Sequence, residues 1–342
     1  MSETVVYADQ PRGGDVDSER DGTEVTSASA MSEEERPESF ARRQDRSESV
    51  QCAKGPEELY ELGISHLNEY DRFGRIDDID KAIEYHVCAV DLTTHGNPEL
   101  AERLSELGIC YDRRYGRLGK VEDMEGSLEC DVRAVELTAE SDPKLAWRLQ
   151  NLGISYRGRY RRLGEAADLD RSFEHFSRAL ALTPDGHPDL PHRHADLGVS
   201  YSDRYRRLGE AADLDRSLEH KSRALALTPL GHPHSPLRHF NYALSCHDQY
   251  LHTADSYFLQ VSLDSFRKSS SLLAGPPRDA FDMAMRWANL AAEYSSLQPI
   301  EAFHAVVDLL PHYISLGATT TQRYHDLLSA QNIAVRAAFI AI

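Results

Sequence analysis

Residues 151–189 read NLGISYRGRYRRLGEAADLDRSFEHFSRALALTPDGHPD, and the chain repeats this text, with drift, every 45 residues. The pair Leu152-Gly153 has counterparts at Leu62-Gly63, Leu107-Gly108 and Leu197-Gly198. A fixed period of this size means one supersecondary unit copied and stacked. Three residues beyond each glycine stand His66, Tyr111, Tyr156 and Tyr201, and seven beyond stand Tyr70, Tyr115, Tyr160, Tyr205 and, in a weaker fifth copy, Tyr250. Phe73-Gly74, Leu118-Gly119, Leu163-Gly164 and Leu208-Gly209 end the first half of the unit. The second half aligns Ile79, Met124, Leu169, Leu214 and Leu259, then Ala89, Ala134, Ala179 and Ala224, and closes on Leu92, Leu137, Leu182, Leu227 and Leu272.

In the quoted unit, Leu149, Leu152, Gly153, Tyr156, Tyr160 and Leu163 fall at steps of three and four, one stripe of an amphipathic helix. Leu169, Phe173, Phe176, Ala179 and Leu180 mark a second helix, with Gly164 as the stop before it and Asp168 as its expected N-cap. Pro184, Gly186 and Pro188 then break the chain. The expected fold is all-α, a right-handed superhelix of antiparallel helix pairs with a period of 45 residues. Its units run over about 55–96, 97–141, 142–186, 187–231 and 232–275. A degenerate unit and C-terminal helices over 276–342 cap the array through Trp287, Leu290, Phe303, Val306 and Leu310. The fifth unit replaces the turn glycine by Ala254, and "RYRRLGEAADLDRS" at 159–172 recurs at 204–217, the mark of recent duplication.

The Leu-Gly-x-x-Tyr helix followed by a small residue, Phe176, Ala179 and Pro184 resembles the tetratricopeptide signature. The period departs from the usual 34 of that family by eleven residues, which lengthen the first helix and the connections. A narrower resemblance is to the long tetratricopeptide-like repeats of mushroom-forming fungi, whose arrays often precede a caspase-like CHAT domain. The stretch from Arg286-Trp287-Ala288 through Glu301-Ala302-Phe303, Leu309-Leu310-Pro311 and Leu316-Gly317 to Ala337-Ala338 is similar to the segment joining those arrays to that domain. The resemblance implies a peptide- or protein-binding array with first helices lining a concave face. It also implies that a catalytic domain, if one exists, lies beyond residue 342, so that the chain is either a short member or a truncated one.

Composition narrows the function classes. The net charge of −18 argues against a nucleic-acid surface, which needs a basic footprint. No apolar run reaches the ~18–20 residues of a membrane helix, and the acidic N-terminus does not read as a secretory signal. Cys52, Cys88, Cys110, Cys130 and Cys246 lack Cys-x-x-Cys spacing and are expected to be reduced thiols in a cytoplasmic protein. Residues 1–50 carry thirteen Asp or Glu against six Arg and little apolar periodicity, so residues 1–54 are expected to form a disordered acidic tail.

No phosphate loop, serine elbow or His-Glu-x-x-His motif is present, and the carboxylates at 165–170 recur at 210–215 as capping groups would. The expectation is a non-enzymatic interaction scaffold without catalytic residue, metal or cofactor. His187, His192 and His194 with His232, His234 and His239 invite a metal reading, yet His187 and His232 align with Asn97 and Asp142 before a proline, where a polar cap is simpler. The clusters Arg159, Arg161, Arg162 and Arg204, Arg206, Arg207 are expected to pair with the Asp-rich second helices or to hold an acidic peptide. Positions outside the apolar stripe give Asp112, Arg113, Arg157, Arg159, Asp203 and Arg204 as the expected peptide-binding set. Tyr160→Ala and Tyr205→Ala are expected to cost on the order of 3 kcal/mol, and Arg161→Ala, taken as a surface charge, under about 1 kcal/mol.

Overall fold

The computed structural model describes residues 54–229, 231–271 and 277–315. The expected tail, the closing Leu272 and the C-terminal residues from Leu316 lie outside the described residues. Among the described residues twelve α-helices follow in order: α1 (Pro56–Phe73), α2 (Ile76–Asp91), α3 (Leu100–Leu118), α4 (Val121–Glu136), α5 (Leu145–Leu163), α6 (Ala166–Ala181), α7 (Leu190–Leu208), α8 (Ala211–Ala226), α9 (Ser235–Thr253), α10 (Ser256–Ser271), α11 (Pro277–Glu293) and α12 (Pro299–Ser315), with a 3₁₀ turn at Ser295–Leu297. No strand occurs among the described residues. Each odd-numbered helix packs mainly on the even one after it, and through the first five units that even helix packs on the first helix of the next unit, with thinner contact between successive odd helices. The fold is a tetratricopeptide-like solenoid of antiparallel helix pairs.

The tight pairing of α5 and α6 depends on Gly153. A Cβ there would stand 2.7 Å from the Phe176 ring. The same approach recurs at Gly63 over His86, Gly108 over Asp131 and Gly198 over Lys221. The Leu-Gly signature is thus a close-contact signature, and what fills the space beneath the glycine changes from unit to unit. Leu104, Leu149, Ile79, Leu169 and Leu214 are fully buried between the helices.

The turn after each odd helix closes on a left-handed glycine whose N–H donates to the tyrosine carbonyl four residues back: Gly74 to Tyr70, Gly119 to Tyr115, Gly164 to Tyr160 and Gly209 to Tyr205. In the fifth unit Ala254 takes the same conformation at φ 56°. A Cβ is disfavoured there, so Ala254→Gly is expected to stabilise the array by about 1 kcal/mol, measured by urea denaturation.

Three expectations are corrected. Asp168 is not an N-cap: it lies inside the first turn of α6, makes no capping bond, and receives a two-pronged bond from Arg159 at 2.7 and 2.5 Å. Leu163 and the closing leucines Leu92, Leu137, Leu182 and Leu227 do not join the core, since they sit at the helix ends where no neighbouring unit covers them. Arg161 is no free surface charge, because it bridges to Asp203 of the next unit at 2.9 Å, and that carboxylate is only 6% exposed. Arg161→Ala would leave the buried Asp203 carboxylate to Arg206 at 3.3 Å, so the expected cost rises to about 2 kcal/mol, read as a loss of denaturation midpoint.

The apolar residues singled out over 287–310 pack together beside the fifth unit. Trp287, Phe303 and Val306 are buried, Leu290 and Leu310 pack against them, and the Trp287 ring stacks on Phe266 at 5.6 Å. The indole N–H donates to the Leu297 carbonyl at 3.1 Å.

Candidate functional site

The six residues expected to bind peptide do not share one open groove. Arg159 and Arg204 face the second helix of their own unit, each gripping a buried carboxylate, Asp168 or Asp213. Arg114 does the same to Asp123 at 2.9 and 2.6 Å. In the first unit Glu69 occupies the arginine position, and Arg75 supplies the guanidinium to Asp78 at 2.6 Å. Pairing of the arginines with the Asp-rich second helices is therefore how these charges are used.

Asp112, Arg157 and Asp203 lie in a polar seam between successive odd helices. Arg157 is buried over the Phe176 ring and stands 3.6 Å from Asp196, while Asp203 takes bonds from Arg161 and Arg206. Burial lowers the Arg157 pKa from its usual value and raises that of Asp112; at Asp203 burial is outweighed by Arg161, Arg206 and Arg157, and the pKa falls. Arg113 reaches back to Asp71 at 3.7 Å. These side chains hold repeats to each other, which leaves few charges for a ligand.

Another column, unread in the sequence, builds the open surface. Arg103, Arg148, Arg193 and Arg238 stand five residues before the Leu-Gly glycine or its fifth-unit equivalent, and all are buried. Arg103, Arg148 and Arg193 donate to the hydroxyls of Thr93, Thr138 and Thr183, which in turn donate to carbonyls one turn back in the preceding helix. Arg103 also reaches Glu57 at 2.7 Å and Arg148 reaches Glu102 at 3.1 Å, each across one repeat. The same 45-residue period would have exposed this column, because an arginine retained where apolar packing does not require it signals a buried polar lock.

Between the N-terminal ends of α1, α3 and α5 these residues line a cleft of about 350 Å³. Its walls carry Glu57, Glu99, Glu102 and Asp142 against Arg103, Lys144 and Arg148, with Tyr60 and the prolines Pro98 and Pro143. Burial and the surrounding Glu106, Glu102, Glu61 and Glu57 hold the Tyr60 phenol well above its usual pKa. Burial, and then Glu102, pushes the Glu106 carboxyl up to about 7. From the third unit onward the equivalent positions Asn151 and Asp196 are buried, so the odd-helix layer is open at its N-terminal end and closed beyond it.

The histidines behave as connectors. His187 and His232 accept the N–H of Asp189 and His234 at 3.1 and 3.2 Å, the role Asn97 and Asp142 play at 2.9 and 2.7 Å. His192, His232 and His234 gather with ring centroids 5.0–6.4 Å apart, but no group of three or more His, Cys, Asp or Glu among the described residues is arranged to hold a metal ion. His194 is buried against His220, Nδ1 to Nδ1 at 2.9 Å. Cys88, Cys110, Cys130 and Cys246 are free and buried; Cys52 lies outside the described residues. Burial raises the thiol pKa of Cys88, Cys110 and Cys246. No helix among the described residues is long and apolar enough to cross a membrane.

No protein-family model and no curated protein matches the sequence. Among solved structures, nearly identical TPR-like repeats from a Podosopora anserina protein named for kinesin light chain are 12% identical, covering 64% of this chain and 100% of that one at a TM-score of 0.46. A thermophilic TPR protein of Thermus thermophilus is 18% identical over 69% of this chain and 98% of its own, at 0.46. The assembly chaperone of RpL4 is 13% identical over 84% and 99%, at 0.40. The assignment of the fold here rests on the chain's own helix pairing and not on these similarities.

Proposed function

We propose that the protein is a non-enzymatic interaction scaffold that binds an extended segment of a partner protein at the open N-terminal end of its odd-helix layer. One observation carries this reading: the cleft between α1, α3 and α5 sets Tyr60 and two prolines among seven charged side chains. The wall carboxylates Glu57, Glu99, Glu102 and Asp142 pair with Arg103, Arg148 and Lys144 and exceed them by one, and Glu61 and Glu106 nearby add to that surplus, so the favoured occupant carries lysine or arginine. This replaces the arginine-lined groove expected from the sequence, whose guanidiniums are engaged by Asp168 and Asp213.

The test is binding of an immobilised set of cationic and acidic peptides to the full chain. Cationic peptides are expected to bind, to bind more tightly at pH 8 than at pH 6 as Glu106 ionises through about 7, and to lose most affinity in Tyr60→Ala. Selection of acidic peptides, or indifference to Tyr60→Ala, would overturn the reading.

A second reading makes the array the regulatory part of a CHAT-type caspase-like protease, on the resemblance of residues 286–338. Any nucleophile would then come from outside the described residues, since each of their free thiols is buried. A coding frame for a His/Cys α/β domain downstream of Ile342 would favour that version.

A further inference from the structure

In the first four units the turn between an odd helix and its partner presents the same kind of exposed pair, Arg72-Phe73, Arg117-Leu118, Arg162-Leu163 and Arg207-Leu208, whereas the fifth has His252-Thr253. Phe73, Leu118, Leu163 and Leu208 are 41–54% exposed, and none of the four arginines enters an ion pair among the described residues. Exposed positions drift elsewhere in the same turns. Three residues past each arginine the chain has Arg75, Lys120, Glu165 and Glu210, so the sign of the charge reverses within the array. Across these four units the arginine column keeps its sign.

Helix-end electrostatics does not fully account for that retention. A cation in the last turn is favoured by ~0.3–1 kcal/mol, but in the third and fourth units Arg161 and Arg206 already occupy that turn. A line of cations interleaved with apolar side chains, on a chain of net charge −18, is a surface shaped for an acidic strand carrying its own apolar residues.

The chain contains such a strand. Residues 1–35 hold ten carboxylates against Arg12 and Arg20, interspersed with Val5, Val6, Tyr7, Val16, Val25 and Met31. From Lys54, eight to ten extended residues would retrace the ~27 Å length of α1 to the level of Arg72. Successive odd helices stand ~10 Å apart, so the four arginines span ~30 Å, which about nine more extended residues would cover. The tether is ample.

We propose that the acidic N-terminal segment, residues 1–35, lies along this turn edge, its carboxylates on the arginine column and its apolar side chains on Phe73, Leu118, Leu163 and Leu208. Each contact is a surface one, and surface ion pairs contribute only ~0.2–1 kcal/mol apiece. Tethering supplies an effective concentration of order mM, so a few such contacts in register hold the strap reversibly. An acidic partner segment would have to displace it. The inference is independent of the cleft between α1, α3 and α5, which lies at the opposite ends of the odd helices.

The experiment compares ¹⁵N NMR spectra of the full chain with those of a synthetic peptide of residues 1–50. At low salt, amide signals of residues 1–35 are expected to be weakened in the full chain and unperturbed in the peptide. They should recover at ~0.5 M salt. They should also recover in a variant carrying Arg72→Gln, Arg117→Gln, Arg162→Gln and Arg207→Gln. Because these side chains are exposed and unpaired, the variant keeps wild-type circular dichroism; a variant limited to Arg117→Gln and Arg162→Gln serves if it does not. Peptide-like signals in the wild-type chain would overturn the proposal, and so would weakening that persists unchanged in the variant.

Discussion

Lys221→Met is expected to stabilise the protein at pH 7 by about 3–4 kcal/mol, against the usual direction of a core substitution. Lys221 fills the space beneath Gly198 that Phe176 fills beneath Gly153, and it is buried. Its ammonium donates to Ser202 and Ser245 at 2.7 Å each, and no carboxylate bonds to it. The charged groups around it are Arg206, Asp248, Asp203 and Arg161, two of each sign. Burial lowers its pKa from 10.5 to about 7.

The sign follows from linkage. Between pH 7 and 10.5 the unfolded chain binds a proton that the folded chain does not, so stability rises with pH across that window and is flat and low beneath it. A shift of that size corresponds to about 4–5 kcal/mol at pH 7. Methionine matches the volume without the charge, and Ser202, Ser217 and Ser245 continue to bond one another at 2.7–3.3 Å. The gain should shrink toward zero as pH climbs past 10. Paired denaturation curves at pH 7 and pH 10 check this, and a loss of stability at pH 7 would show that the amine is solvated.

Asp131→Asn should give the mirror image. Asp131 lies beneath Gly108, is buried, and accepts a 2.6 Å bond from Ser155. Burial raises its pKa from 3.8 to about 8, with Asp112 adding to the rise and Ser155 opposing it. Here the folded chain binds the extra proton between pH 3.8 and 8, so stability falls as pH rises through that window and stays low above it. Asparagine keeps an acceptor for Ser155 and cannot ionise. The expected gain is about 4–5 kcal/mol at pH 8 and close to none below pH 4, followed by denaturation across that range. Equal gains at both ends would mean that the carboxyl is not protonated in the folded protein.

Both side chains belong to a column that runs His86, Asp131, Phe176, Lys221 and Phe266 through the five units. In the sequence this position looks variable, with only Phe176 and Phe266 apolar. The position opposite is glycine in four units and Ala243 in the fifth because the side chain beneath it leaves little room; the residue beneath needs volume, and a lysine stem or a protonated carboxyl supplies that as a phenyl ring does. The unit 1 pair His66 and Tyr85 stacks at 5.5 Å just as Tyr156 stacks on His175 in unit 3, with the two ring types exchanged between helices. A column-by-column reading registers two separate changes there, whereas the space holds one conserved contact.

The helix pairs, the turn glycines and the burial of Trp287 and Phe303 were legible because they follow from periodicity and local chemistry. The candidate site was not. Arg159 and Arg204 sit off the apolar stripe, which locates them outside the core, but only the packed structure shows that Asp168 and Asp213 meet them there. Arg103 and Arg148, which line the cleft, break no periodicity that would single them out, and their burial comes from the tertiary packing.

Forty-five-residue periodicity by itself determined an all-helical stack, since a repeated amphipathic pair can bury its stripe only on its own copies. Which charges are spent in holding copies together, and which remain for a partner, was decided only by the tertiary structure. The reason is that a charge's availability depends on the counter-charges that packing brings within ~4 Å of it, from nine residues away across a helix pair, as for Arg159 and Asp168, to 46 residues away across a repeat, as for Arg103 and Glu57.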